Sequence, residues 1–156
     1  MSLKTTGMFF PQKKGNTKMK ITNIDGARLI REVINKYCQC NYDIWRRAMY
    51  ANTLRNGNCL WFPQVSRKLI GTEDDFRPKL SAENWLPADG TEIWEKPKSA
   101  DVANCLTRYN GLRRIVFANT IPDDGYWFVG EFKYVGDKRG YRVYERIAAT
   151  SDTATW

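Results

Sequence analysis

The stretch Arg113–Ala148, RRIVFAN TIPDDG YWFVGEFKYV GDKRG YRVYERIA, decides the fold. Its runs at 113–119, 126–135 and 141–148 are dense in β-branched and aromatic residues. They are separated by Pro122-Asp123-Asp124-Gly125 and Asp137-Lys138-Arg139-Gly140, whose residues favour tight turns. A three-stranded antiparallel meander is predicted. With four-residue turns, Val116 lies opposite Glu131 and Glu131 opposite Arg146, while Arg114 meets Lys133 and Lys133 meets Tyr144. Alternation then sorts the side chains. Ile115, Phe117, Tyr126, Phe128, Phe132, Tyr134, Val143 and Ile147 form the core face. Arg114, Trp127, Lys133, Arg142, Tyr144 and Arg146, with Glu131 among them, form the solvent face.

Upstream the pattern is helical. Asp25 is placed to cap a helix running to about Tyr37, with Leu29, Ile30, Val33, Ile34 and Tyr37 on one face. A second helix is predicted from Tyr42 to Leu54, ended by Asn56-Gly57, so the two form a helical hairpin. Cys59-Leu60-Trp61-Phe62 predicts a short buried strand closed by Pro63. Residues 64–87 lack a sustained period and predict a long loop. Glu92–Glu95 predicts a strand, and Ser99 caps a helix that stops at Asn110-Gly111. The expected class is α+β: a helical hairpin, one further helix, then the meander.

At 156 residues the chain is expected to be one domain, residues 21–156, behind a flexible basic tail at 1–20. That tail holds five lysines and no acid, whereas the remainder carries 20 basic against 17 acidic residues, so most of the net charge of +8 lies in it. No apolar run approaches the roughly 18 residues that span a bilayer, and Met8-Phe9-Phe10 before Pro11 is too short for a signal peptide. A cytoplasmic location with no membrane partner is expected, with all four cysteines reduced.

Histidine is absent, which excludes Ser-His-Asp and Cys-His nucleophile systems and histidine-ligated zinc deaminases. Cys38-x-Cys40 lacks the two-residue spacing of a zinc ribbon, and Cys59 and Cys105 stand alone, so neither metal nor zinc-based chemistry is expected. No glycine-rich phosphate loop occurs, and no cofactor is expected. Pro122-Asp123 and Glu131-Phe132-Lys133 spell the PD-(D/E)xK nuclease pattern, but along one strand their carboxylates would stand about 25 Å apart, too far to share Mg²⁺.

What remains is the basic, aromatic face of the meander. Arg114 directly opposite Lys133 would repel unless an anion lay between them, and a phosphate would serve. The expected contacts are Arg114, Lys133, Arg142 and Arg146 on phosphates, with Trp127 or Tyr144 stacked on a base.

The stretches Arg114–Ala118, Gly125–Gly130 and Tyr141–Ile147 resemble barrel-strand segments of PUA-like domains, above all the SRA-type and EVE-type modules that read modified bases in bacterial restriction systems. The resemblance covers about a quarter of the chain, and Tyr126, Phe128 and Gly130 fall on its aromatic-x-aromatic-x-Gly pattern. It implies a curved, barrel-like sheet that holds a flipped or modified base in an aromatic pocket. The expected function is therefore a non-catalytic nucleic-acid-binding module, with DNA favoured over RNA. A protein-interaction domain that blocks a host factor is the alternative, and a metal-dependent nuclease is third.

Overall fold

A computed structural model describes residues 18–41, 49–50, 54, 56–66, 82–120 and 124–156. Among these residues there are ten strands and two α-helices: β1 (Lys20–Ile21), β2 (Gly26–Ala27), α1 (Ile30–Cys38), β3 (Met49–Tyr50), β4 (Cys59–Trp61), β5 (Ala82–Trp85), β6 (Glu92–Pro97), α2 (Ala100–Thr107), β7 (Arg114–Ala118), β8 (Tyr126–Lys138), β9 (Tyr141–Ala148) and β10 (Ser151–Asp152). The class is α+β. Among the described residues, no helix is long and apolar enough to cross a membrane.

Eight strands make one sheet in the order β3-β4-β7-β8-β9-β6-β5, with β2 added against β8. All pairs are antiparallel except β4 with β7. The chain just beyond β4 reaches from the β7 side of this order to β5. Gln64 bridges Asn119 beyond β7, and two residues later Ser66 bridges Trp85 of β5. Ser66 donates its N–H to the Asn84 carbonyl (3.0 Å) and accepts from the Leu86 N–H (2.8 Å). The sheet therefore curls upon itself and buries both of its faces.

The outer face is covered by α1. Ile30, Val33, Ile34 and Tyr37 of the helix pack with Leu60, Phe62, Ile115, Phe117, Tyr126, Phe128 and Trp156. Trp61, Val65, Leu86, Ile93, Val116, Ala118, Phe132 and Tyr144 form the inner cluster. One irregularity in β8 allows the strand to serve both. Phe117 pairs with Phe128 but Val116 with Gly130, so Val129 is an extra residue. A bulge of this kind reverses the side-chain alternation beyond it. Tyr126 and Phe128 consequently enter the outer cluster, while Phe132 enters the inner one, with Tyr134 packed against it. Gly130 takes φ 139°, and a Cβ there would lie 2.6 Å from Cδ of Arg146, so no other residue fits without displacement.

Several expectations are corrected. Arg114 pairs with Phe132, Ile115 with Glu131, Lys133 with Glu145 and Phe132 with Arg146, one residue away from the register that uniform turns predict. α1 starts five residues after Asp25, whose carboxylate instead accepts from the Thr22 N–H (2.8 Å) and leads into β2. Met49–Tyr50 is a strand where helix was expected, and the rest of the expected 42–54 helix falls almost wholly outside the described residues. The expected loop at 64–87 contains β5, with 67–81 outside the described residues. Ser99 does cap α2, accepting from the Val102 N–H (3.2 Å). Ile147, expected in the core, is 53% exposed.

The C-terminal segment is tied to the outer face. The Trp156 indole N–H donates to Ser151 Oγ (2.8 Å), Ser151 Oγ donates to Glu131, and Glu131 pairs with Arg113 (3.2 Å). Lys20–Ile21, at the edge of the expected tail, pairs with Ser151–Asp152, and the Met19 N–H donates to Thr153 Oγ1 (2.8 Å). Because Trp156 is only 3% exposed, Trp156→Ala should cost about 3–5 kcal/mol in urea denaturation. An unchanged midpoint would show that the ring is not part of the core.

Candidate nucleic-acid site inside the sheet

Arg114 occupies the inner face at the start of β7, in register with Cys59 of β4 and Phe132 of β8. It is 1% exposed. Its guanidinium carbon lies 4.2 Å from the centroid of the Tyr144 ring and 4.7 Å from that of Trp61, and these rings stand 5.0 Å apart. None of its three nitrogens has a hydrogen-bond partner among the described residues. Burial strips the guanidinium of its hydration, and the ring quadrupoles offset only part of that loss.

Beside it lies a satisfied polar chain. The Tyr144 hydroxyl donates to Glu95 Oε1 (2.6 Å), and Arg142 Nε donates to that hydroxyl (3.0 Å) while standing 3.7 Å from the same carboxylate. A second Arg142 nitrogen donates to Asn110 Oδ1, and its guanidinium lies 4.3 Å from the Tyr134 ring centroid. Burial pushes the Tyr144 phenol well above its usual range, with Glu95 adding to the rise and Arg114 and Arg142 opposing it. The phenol therefore stays protonated and able to donate. Asn84, in register with Glu95, is buried too: its Nδ2 donates to the Gln64 carbonyl (3.1 Å), and its Oδ1 has no partner.

The six residues expected on a solvent face are thus divided. Arg114, Arg142 and Tyr144 are buried in the interior, and Arg146 is half-buried next to Gly130. Lys133 is exposed opposite Glu145, and Trp127 is 38% exposed against Gly26. The expected Arg114–Lys133 repulsion does not exist, since β8 presents Phe132 to Arg114. Glu131 pairs with Arg113 rather than Arg146. Parity grouped Arg114, Arg142 and Tyr144 correctly but assigned the group to the wrong environment, because a curled sheet has an interior where a flat one has a wet side.

Sequence reasoning missed Trp61, Asn84 and Glu95, which come from short strands far apart in the chain. A lone glycine within a strand pattern, here Gly130, was the available signal for the bulge. Exposed cations flank Glu95 and Arg142 in the sequence. Lys96 follows Glu95 and sits 5.7 Å from the Tyr141 ring centroid, and Lys138 and Arg139 occupy the turn before Arg142.

An α+β domain whose curled sheet buries a cation between aromatic rings can stack a planar ligand and donate to its acceptors. The model of the SRA (SET and RING associated) domain family matches residues 16–153, and the chain belongs to that family. No curated protein matches the chain. Among solved structures, the 5-hydroxymethylcytosine-specific restriction enzyme AbaSI is similar at 21% identity and a TM-score of 0.48. The alignment covers 70% of this chain and 34% of that one, so the chain spans about a third of that enzyme.

Two measurements test the interior. Replacing a buried, uncompensated charge by an apolar side chain of similar length removes a desolvation cost, so Arg114→Met should stabilise the free protein by about 1–3 kcal/mol in denaturant titration. A loss of stability would mean that the ring contacts more than repay that cost. Burial also pushes the Cys59 thiol up to about 11, against the lowering effect of Arg114, and pushes Cys38 higher still. At pH 8 iodoacetamide should therefore modify exposed Cys105 readily and leave Cys38 and Cys59 intact until unfolding, as read by mass spectrometry.

Proposed function

We propose that this chain is a DNA-binding module that takes a flipped, modified base into the interior of its curled sheet. The observation that carries this reading is Arg114, a fully buried guanidinium between two aromatic rings with no partner of its own. Buried donors left unpaired cost about 1–3 kcal/mol each, a cost sustained in a free protein when a ligand later supplies the acceptors. Trp61 and Tyr144 offer ring faces to a base, and the free Asn84 Oδ1 with Glu95 offers acceptors to an exocyclic amine. In this reading the curled sheet is the barrel of a PUA-like domain. The flipping cost, a few kcal/mol, is offset by stacking and by these hydrogen bonds.

Outside the interior, Lys133 and Arg146 contact phosphates and Trp127 stacks on a neighbouring base, with Lys96, Lys138 and Arg139 adding charge where the strand enters. Arg142 and Tyr144 act by holding Glu95 and the wall of the site rather than by meeting phosphate.

Fluorescence polarisation with duplexes that differ only in one cytosine, unmodified or 5-substituted, tests the reading. A modified duplex should bind at least about ten-fold more tightly, on the order of one charge-assisted hydrogen bond. Lys133→Ala should weaken binding to every duplex alike and lower the salt slope by about one unit. Trp127→Ala should cost roughly 1–3 kcal/mol with the slope unchanged. Equal binding of all duplexes would reject the base-reading function.

A further inference from the structure

We infer that the base accepted by this interior carries a negatively charged substituent, of the carboxylate class, and that Arg114 is the side chain that binds it. The inference rests on the base-reading function proposed above and names its substrate class. Four charged residues are buried among the described ones: Glu95, Arg114, Glu131 and Arg142. Glu131 belongs to the outer face, where Arg113 compensates it. The interior is left with Arg114, Arg142 and Glu95, a formal charge of +1.

Glu95 is already engaged by Arg142 and by the Tyr144 hydroxyl, so it does not compensate Arg114 as well. The surplus charge is located on one planar fork, whose parallel N–H groups match the two oxygens of a carboxylate. A methyl substituent would offer that fork nothing, and a hydroxymethyl group would offer one neutral acceptor. A carboxylate satisfies the hydrogen bonds and cancels the charge in one contact.

The phosphates of the bound DNA strand are a second source of anionic oxygen. A phosphate is tied to the strand, however, whereas a flipped nucleotide enters base first. Arg114 lies at 1% exposure against Trp61 and Tyr144, whereas Lys96, Lys138 and Arg139 are exposed and open to a backbone that stays outside. The geometry therefore favours a group borne by the base.

The test uses the intact chain and duplexes of one sequence that carry a single cytosine, 5-methylcytosine, 5-hydroxymethylcytosine or 5-carboxylcytosine. The carboxylated duplex should bind about ten-fold or more tighter than the methylated and hydroxymethylated ones. In Arg114→Met that ratio should fall to about one, whatever the absolute affinity. If the neutral modified bases bind as tightly as the acidic one and all bind better than cytosine, the inference is overturned while the base-reading function stands. If no modification improves binding, both fail.

Thermal shifts of the wild-type chain separate the two anion sources without depending on the variant's folding. Free 5-carboxy-2′-deoxycytidine, which has no phosphate, should raise the melting temperature, and inorganic phosphate at the same concentration should not. The reverse pattern would assign Arg114 to phosphate and overturn the inference.

Discussion

One doubled residue in β8 sets the architecture. Val129 has no counterpart on β7, and the side chains beyond it are turned to the other face of the sheet. Without that reversal Phe132 and Tyr134 would lie on the side of Phe128, beneath α1, and the inner cluster would lose its contribution from β8. The same reversal places Glu131 on the outer face, where Arg113, Ser151 and Trp156 complete a polar chain that ties the C-terminal segment down. A bulge also increases local twist, and a sheet that curls as this one does needs that curvature.

The outer core and the interior have different energetic characters. Beneath α1 the contacts are apolar and aromatic, with Phe117 within 5.5–6.5 Å of Tyr37, Phe62, Phe128 and Trp156. Inside the sheet, one polar chain is fully paired and the neighbouring Arg114 is not. Sites arranged for a ligand commonly sacrifice local stability in this way, and a well-packed core elsewhere makes the sacrifice tolerable.

Much of the sheet was legible from residues alone, because β-branched and aromatic runs between strong turn formers leave few alternatives. The C-terminal strands, β4, β6 and the Ser99 cap all follow from such local signals. Register was not legible, since a one-residue slip is invisible to alternation and only Gly130 and Gly136 hinted at it. Arg114 beside Ile115 and Val116 reads as one more charge on a wet face. Nothing local reveals that the sheet curls over it, because that depends on Ser66 meeting Trp85 across 19 positions of sequence. Short strands such as β5 carry too little pattern of their own, and tertiary pairing decides them.

The pairing of β1 with β10 brings the two extremities of the folded unit side by side, Lys20 against Asp152. Polypeptide attached at either extremity must leave from the same edge, as two leads leave a single plug. A unit built this way can be spliced into a surface loop of a host protein with little stretching of the host's backbone, and it tolerates relocation of its chain break. Its portability is thus a property of two short strands, one of which also sends Ile21 into the helix-covered core.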